Sequence, residues 1–329
     1  MNVFVGELPP PYGGVAVKDK LMFQQIYEPS GVKMINLVEC KWKPWKTPIV
    51  GGNLIASLLR AEHVIIGVGT SRRCKIIMSL RKILKGNRGL TTTHMIVMGG
   101  NLQNVTKEDK SLCNLLKKCG SLWVETNGMK QSLEEQGLKN IKIFPNCRTD
   151  SNSLAPQNVE KIIKYVYFSR ICEEKGVDEI IDAVKESNGQ WTVDFYGEVA
   201  AEYKDKFENF LKEYPQIKYH GVYDATNGNV YKELNQYDAI LLPSKWSGEG
   251  VPGALVESKM AGIAAIVSDW NFNAEIVKND SEGIVLKEKL SNVLNKINSQ
   301  KMMELKVGAF ESRKRYDIET YKEQLLEEI

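Results

Sequence analysis

YDAILLPSKWSGEGVPGALVESKMAGIAAIVSDWNFNAEIV, running from Tyr237 to Val277, contains a strand, a loop, a helix and a second strand in order. Asp238 to Leu242 is a short apolar run closed by Pro243, too short for a helix, and reads as a buried strand. Ser244 to Gly250 is polar, carries two glycines and reads as a loop. Pro252 suits the first turn of a helix, where its missing N–H costs nothing. Leu255, Val256 and Met260 follow at helical spacing, and Gly262 is a natural stop. Ile263 to Val267 is the next buried strand. This frame places two acids: Glu249 in the loop ahead of the helix, and Glu257 about two turns further on.

A helix N-terminus presents free N–H groups and a partial positive charge, so it attracts phosphate. A carboxylate beside it calls for something else, a partner with hydroxyls or positive charge. Either glutamate alone would read as a solvated acid. The pair, in EGVPGALVE directly after an apolar strand, fits a ligand that carries phosphates and sugar hydroxyls together.

Glu249 and Glu257, with seven residues between them, resemble the E-x7-E motif of family 4 retaining glycosyltransferases of the GT-B fold. The likeness extends through PSxxxGEGVPGALVESKMAG and IVSD. It implies an α/β chain of two Rossmann-like domains facing across a central cleft, with a nucleotide-sugar donor held mainly by the second. In that resemblance Glu249 grips donor-sugar hydroxyls and steadies the positive charge developing on the ring. Glu257 accepts hydrogen bonds from the ribose, and Gly250, Val251, Pro252 and Gly253 form the donor-binding turn.

A length of 329 residues fits two domains. No apolar run approaches the ~20 residues of a membrane span, and MNVFVG reads as a strand rather than a signal peptide. Six cysteines, Cys40, Cys74, Cys113, Cys119, Cys147 and Cys172, lack CxxC spacing and read as reduced thiols of a cytosolic protein. Three histidines and no HExxH give no metal site. The net charge of +3 hides an asymmetry. Residues 1–155 hold 22 Lys and Arg against 11 Asp and Glu, and the remainder 22 against 30, for nets of +11 and −8. A basic first half of this kind suggests an anionic neighbour.

Residues 1–150 read as the first domain, with strands at Asn2–Val5, Met34–Val38, His63–Val68, Thr91–Met98, Leu122–Glu125 and Ile141–Phe144. Gly13 and Gly14 follow three prolines and precede a helix, a natural phosphate cradle after a first strand. KWKPWK, Lys41 to Lys46, reads equally as an interfacial anchor, a sugar-stacking surface or a loop whose tryptophans pack back onto the domain. Ser71 to Leu90 reads as a helix with Ile76, Ile77, Leu80, Ile83 and Leu84 as its core stripe. Its seven cations, unaccompanied by any acid, would face anionic lipid. Without a recognition motif, nucleic acid is not expected. VETNGMKQSL and NIKIFPN resemble the polysaccharide-assembly branch of the same family.

Arg148 to Pro156 is the expected linker, and residues 156–310 the second domain. FSRICEEKGVDEIIDAV resembles the family's strand–R–x4–K–G–helix motif, which assigns Arg170 and Lys175 to the donor diphosphate. The resemblance also places backbone at Gly197 and Val222 near the nucleobase. The last helix, about residues 314–329, is expected to return to the first domain.

The resulting expectation is a retaining, metal-independent transfer from a nucleotide sugar, UDP-linked, with no cofactor. There is no D-x-D triplet to hold a metal, and Arg170, Lys175, the Gly13–Gly14 amides and the helix at Pro252 would stabilise the leaving diphosphate. The expected acceptor is a saccharide, lipid-linked, at the cytoplasmic face of the cell membrane, as in capsule or exopolysaccharide assembly. Many relatives carry a cleft histidine. Here His94 precedes its strand end, Gly99-Gly100-Asn101 fills the loop, and no catalytic role passes to His94. The competing readings are a non-catalytic nucleotide-binding assembly protein and a nucleotide-sugar epimerase or phosphorylase of the same architecture.

Overall fold

A computed structural model describes residues 1–10, 13–39, 44–224 and 229–329. Cys40, Lys41, Trp42 and Lys43 of the tryptophan-bearing segment lie outside them. The chain is α/β and divides into two compact units: Met1–Cys147 with Ile318–Ile329, and Arg148–Asp317.

The first unit is built on a six-stranded parallel sheet: β1 (Val3–Gly6), β2 (Lys33–Asn36), β3 (Val64–Gly67), β4 (Thr93–Ile96), β5 (Ser121–Val124) and β6 (Ile141–Ile143). Their order in space is β2-β1-β3-β4-β5-β6. In β1, β3, β4 and β5 every residue is buried. That is why β1 and β3 read as apolar runs rather than alternating ones, while β4 and β5 also bury Thr93, His94 and Ser121: helices cover both faces of a parallel sheet. The core gathers Phe4, Met22, Ile65, Ile96, Trp123 and Phe144 with Ile318 and Leu325 from the C-terminal segment.

The second unit holds β7 (Ile163–Phe168), β8 (Trp191–Tyr196), β9 (Lys218–Tyr219), β10 (Ala239–Leu242), β11 (Ala264–Ser268) and β12 (Gly283–Leu286). Their order is β12-β11-β10-β7-β8-β9, again all parallel. The chain runs outward from β7 to β9, then returns to the other side of β7 with β10. That reversal leaves a crevice at the carboxyl ends of β7 and β10, where doubly wound sheets bind ligands. In the first unit the reversal falls between β1 and β3.

One helix differs from its sequence reading. Ser71–Thr91 is helical but broken at Gly86. Ile76 is 50% and Ile83 79% exposed, so they are not core. The buried side consists of Cys74, Ile77, Met78 and Arg81. Arg81 is fully buried because it caps a neighbouring helix: its guanidinium donates to the carbonyls of Leu58, Ala61 (3.1 Å) and Glu62 (3.0 Å) at the end of helix Thr47–Arg60. Lys85 adds a bond to Ala61 at 3.0 Å, Lys75 pairs with Asp109 at 2.8 Å, and Arg73 pairs with Glu7. Much of the basic run is therefore satisfied within the fold.

Candidate functional site

Two loops meet at the reversal of the second sheet. The loop after β7 carries Arg170 and a 3-10 turn at Glu173–Lys175. Gly176 then leads into helix Val177–Lys185. The loop after β10 carries Ser244, Trp246 and Glu249 and ends at helix Gly253–Met260. The Lys245 amide donates to the Glu174 carbonyl at 2.8 Å, stitching the two loops together. Gly176 sits at φ +77°, and a Cβ there would lie 2.1 Å from the Pro243 carbonyl oxygen. Only glycine allows these loops to approach so closely.

The sequence-predicted residues converge here. The Lys175 ammonium donates to Glu249 Oε2, and the Ser244 hydroxyl donates to the same oxygen at 3.2 Å. Both side chains of the ion pair are mostly covered, at 12% and 17% exposure. Arg170 is exposed, and among the described residues its guanidinium has no acidic partner. It lies 5.5 Å from the ring of Trp246, and the Lys175 ammonium 5.9 Å from the same ring. A cation held over an indole face is attracted by the ring quadrupole. The result is two cations on one aromatic platform, with a carboxylate against one of them. Behind them the Tyr167 hydroxyl donates to the Arg170 carbonyl at 2.6 Å, fixing the turn.

Glu257 lies on helix Gly253–Met260, and its Oε1 accepts from Arg148 Nε at 3.0 Å and from a terminal nitrogen at 2.7 Å. Among the described residues, Oε2 accepts no hydrogen bond. Arg148 was read only as the start of a linker, and nothing in its neighbours marked it. Trp246 also escaped notice, although SKWSGEG places it between the strand and Glu249. The helix bearing Glu257 is anchored by Lys259, 1% exposed, which donates to Glu282 and Ser312, each at 2.8 Å. Burial lowers the Lys259 pKa to about 8, the Glu282 carboxylate opposing that shift.

Gly250, Val251 and Pro252 are buried at the approach to this helix, with Pro252 as its N-cap. Gly197 directly follows β8 at φ +141°, where a Cβ would fall 1.8 Å from the Ser169 carbonyl oxygen. It thus holds the loop after β8 against the loop carrying Arg170. Val222 is 67% exposed and belongs to the loop after β9. Gly13 and Gly14 belong to the other unit. They are exposed, cap and begin helix Gly14–Met22, and have open space where a Cβ would be. In that unit His94 is buried in β4, with Nδ1 2.8 Å from Ser121 Oγ and Nε2 3.0 Å from His63. Five described cysteines are buried and free, and no cluster of His, Cys, Asp or Glu suited to a metal occurs among the described residues.

A family profile described as glycosyl transferases group 1 matches residues 150–322, more than half the chain. No curated protein matches it. Among solved structures it is similar to Anabaena Alr3699/HepE in complex with UDP, at 13% identity and TM-score 0.75 over 99% of this chain and 98% of that one. The lipopolysaccharide outer core galactosyltransferase WaaB, apo form, aligns at 15% identity and TM-score 0.68 over 100% and 99%. Sucrose-phosphate synthase from Thermosynechococcus elongatus aligns at 11% identity and TM-score 0.74 over 99% and 98%. These likenesses show the fold, which is that of GT-B glycosyltransferases. With its profile match and the grouping of Lys175, Glu249 and Arg170 on the second sheet, the chain belongs to the glycosyl transferases group 1 family and is a glycosyltransferase of the hexosyltransferase type.

Proposed function

We propose that this enzyme moves a sugar from a UDP-sugar to a lipid-linked saccharide with retention of anomeric configuration and without a metal, in capsule or exopolysaccharide assembly at the inner face of the cell membrane. One observation carries the donor half of this reading: Arg170, Lys175 and Glu249 share one spot at the reversal of the second sheet, beside the end of the loop that becomes helix Gly253–Met260. Anabaena HepE, a structural neighbour solved with UDP and with UDP-glucose, supports the choice of base.

In the reaction the bond between the anomeric carbon and the diphosphate oxygen breaks while the acceptor oxygen bonds to that carbon on the same face. The acceptor proton passes to the departing phosphate. Arg170 and Lys175 stabilise the charge that grows on the diphosphate, a preorganised contribution that needs no ion. Glu249 exchanges part of its hold on Lys175 for donor-sugar hydroxyls and faces the positive charge of the ring. Glu257 offers its open oxygen to the ribose, with Arg148 fixing its orientation. Gly197, Val222 and the turn Gly250–Gly253 complete the donor site, and the open N-terminus at Gly13–Gly14 is assigned to phosphate by its own chemistry.

Thermal-shift measurements against UDP-, GDP- and ADP-sugars test this reading, because a ligand bound to the folded state raises its midpoint. A rise with a UDP-sugar, together with its slow hydrolysis, is expected. Glu249→Gln should keep the rise and cut turnover by roughly a hundredfold. No rise with any sugar nucleotide, or unchanged turnover in the variant, removes the mechanism.

A further inference from the structure

Helix Thr47–Arg60, TPIVGGNLIASLLR, buries Ser57 and Leu58 but leaves large apolar side chains in solvent. Ile49 is 62% exposed, Ile55 and Leu59 are each 48%, and Trp45, in the 3-10 turn ahead of the helix, is 72%. At 100° per residue, Ile49, Gly52, Ile55, Ala56 and Leu59 fall within an arc of about 120°. Exposed apolar residues are ordinary when scattered singly; a stripe of them on one helix face marks an interaction surface.

The charges around the stripe are mostly basic, although Lys46 is paired with Glu39 at 3.1 Å and an exposed Glu62 follows the helix. From Cys40 to Ala61 the sequence has Lys41, Lys43, Lys46 and Arg60 and no acid. Helix Ser71–Thr91, which holds the last carbonyls of this helix through Arg81 and Lys85, also has no acid. Its Arg72, Lys82 and Arg88 have no ion-pair partner among the described residues. Ile83 lines a surface cavity together with Lys82, Lys110, Lys117 and Lys118. An apolar helix stripe with tryptophan at one end and unpaired cations nearby matches the surface of an anionic bilayer, which takes up both.

We propose that the exposed face of Thr47–Arg60, with Trp45, is an interfacial anchor that lies in an anionic membrane surface. The helix is too short and too mixed to span, so it rests at the headgroup boundary with Trp45 at that level. The proposal deepens the reading of a lipid-linked acceptor and rests on it only for its purpose, not for its physics. Of the alternatives left open for the tryptophan-bearing segment, it selects the anchor.

The test uses the intact chain with phosphatidylcholine vesicles, with and without phosphatidylglycerol. Co-sedimentation should require phosphatidylglycerol and weaken with salt. The triple variant I49S/I55S/L59S changes only exposed positions. It should bind at least about tenfold more weakly, a difference of ~1.4 kcal/mol, while its melting midpoint and its UDP-glucose thermal shift stay unchanged. Lipids brominated near the headgroup should quench tryptophan emission in the wild type, and less so in Trp45→Phe. Unaltered vesicle binding by the triple variant overturns the proposal, as does quenching that Trp45→Phe leaves intact. Absence of vesicle binding with a dimer that the triple variant dissolves overturns it in favour of a second copy. A UDP-glucose shift without vesicle binding refutes the anchor and leaves the transferase reading standing. Vesicle binding without any sugar-nucleotide shift does the reverse.

Discussion

Lys175 and Glu249 form an ion pair, whereas Arg170 lies against Trp246 with no ion pair among the described residues. The two cations should therefore respond differently to removal. Lys175→Ala leaves the carboxylate of Glu249, 17% exposed, with Ser244 as its one remaining side-chain partner among the described residues. A largely covered carboxylate stripped of its counterion costs stability as well as transition-state binding. A fall in kcat/KM of about a thousandfold is expected, accompanied by a lower melting midpoint. Arg170→Ala removes an exposed group with no acidic partner, so activity should fall by roughly a hundredfold with the midpoint within about 1 °C. Paired steady-state kinetics and calorimetry decide this. Equal midpoint losses in both variants would mean that the Lys175–Glu249 pair contributes nothing to the fold. These residues were legible because EGVPGALVE and FSRICEEKG each have a pattern that chemistry can interpret. Arg148 was not: a single arginine in CRTDSNS says nothing about a glutamate far along the chain. Only the fold brings Arg148 Nε to 3.0 Å from Glu257.

Elements were read best where burial was complete. β1, β3, β10 and β11 stood out as apolar runs, because a parallel sheet covered on both faces tolerates little else. The twelfth, β12 at Gly283–Leu286, was missed, since GIVL lies between KNDSE and KEK at the edge of its sheet and half its residues are only partly covered. Helix Ser71–Thr91 was located correctly and Ile77 is core as expected, but the buried face is rotated toward Cys74, Met78 and Arg81, leaving Ile76 and Ile83 in solvent. Periodicity counts apolar side chains and cannot foresee that a fully buried arginine will serve as a cap for a neighbouring helix. This yields a sharp contrast within one basic run. Arg81→Met removes the guanidinium from the carbonyls of Leu58 and Glu62, leaves Ala61 with Lys85 alone, and should cost roughly 3 kcal/mol or more. Lys82→Met, at an exposed position, should stay within about 0.5 kcal/mol. Urea titrations of the two variants measure the difference. If Arg81→Met unfolds at the wild-type urea concentration, the buried guanidinium is replaceable by packing alone.

The family profile ends at residue 322, but the compact unit it covers most fully ends at Asp317, and the residues beyond return to the first unit. There Ile318 and Leu325 enter the core, and Glu328 pairs with Lys142 and approaches His94 Nδ1 at 3.3 Å. The resemblance led to the expectation of one helix over about residues 314–329, whereas the segment forms 3-10 turns at Arg313–Tyr316 and Ile318–Tyr321 and a short helix Lys322–Leu326; the histidine near its end was not expected, because His94, His63 and Glu328 are far apart in sequence. Burial lowers the His94 pKa from 6.5 to about 4, and the Glu328 carboxylate, which favours the charged ring, does not overcome it. The unfolded chain therefore takes up a proton near pH 6.5, while the folded chain resists until about 4. Between these values acid favours unfolding, so stability falls as pH drops through the window and recovers as it rises. The loss contributed by this imidazole is at most about 3 kcal/mol at the acid end. Carboxylates titrate mainly below this window, so His94→Gln should flatten the fall between pH 6.5 and 4.5 and leave the steeper loss below it in place. Melting midpoints of wild type and variant, recorded across that range in matched ionic strength, measure the effect. Parallel curves would show that the buried ring already carries its proton in the folded protein, with Glu328 rather than burial controlling it.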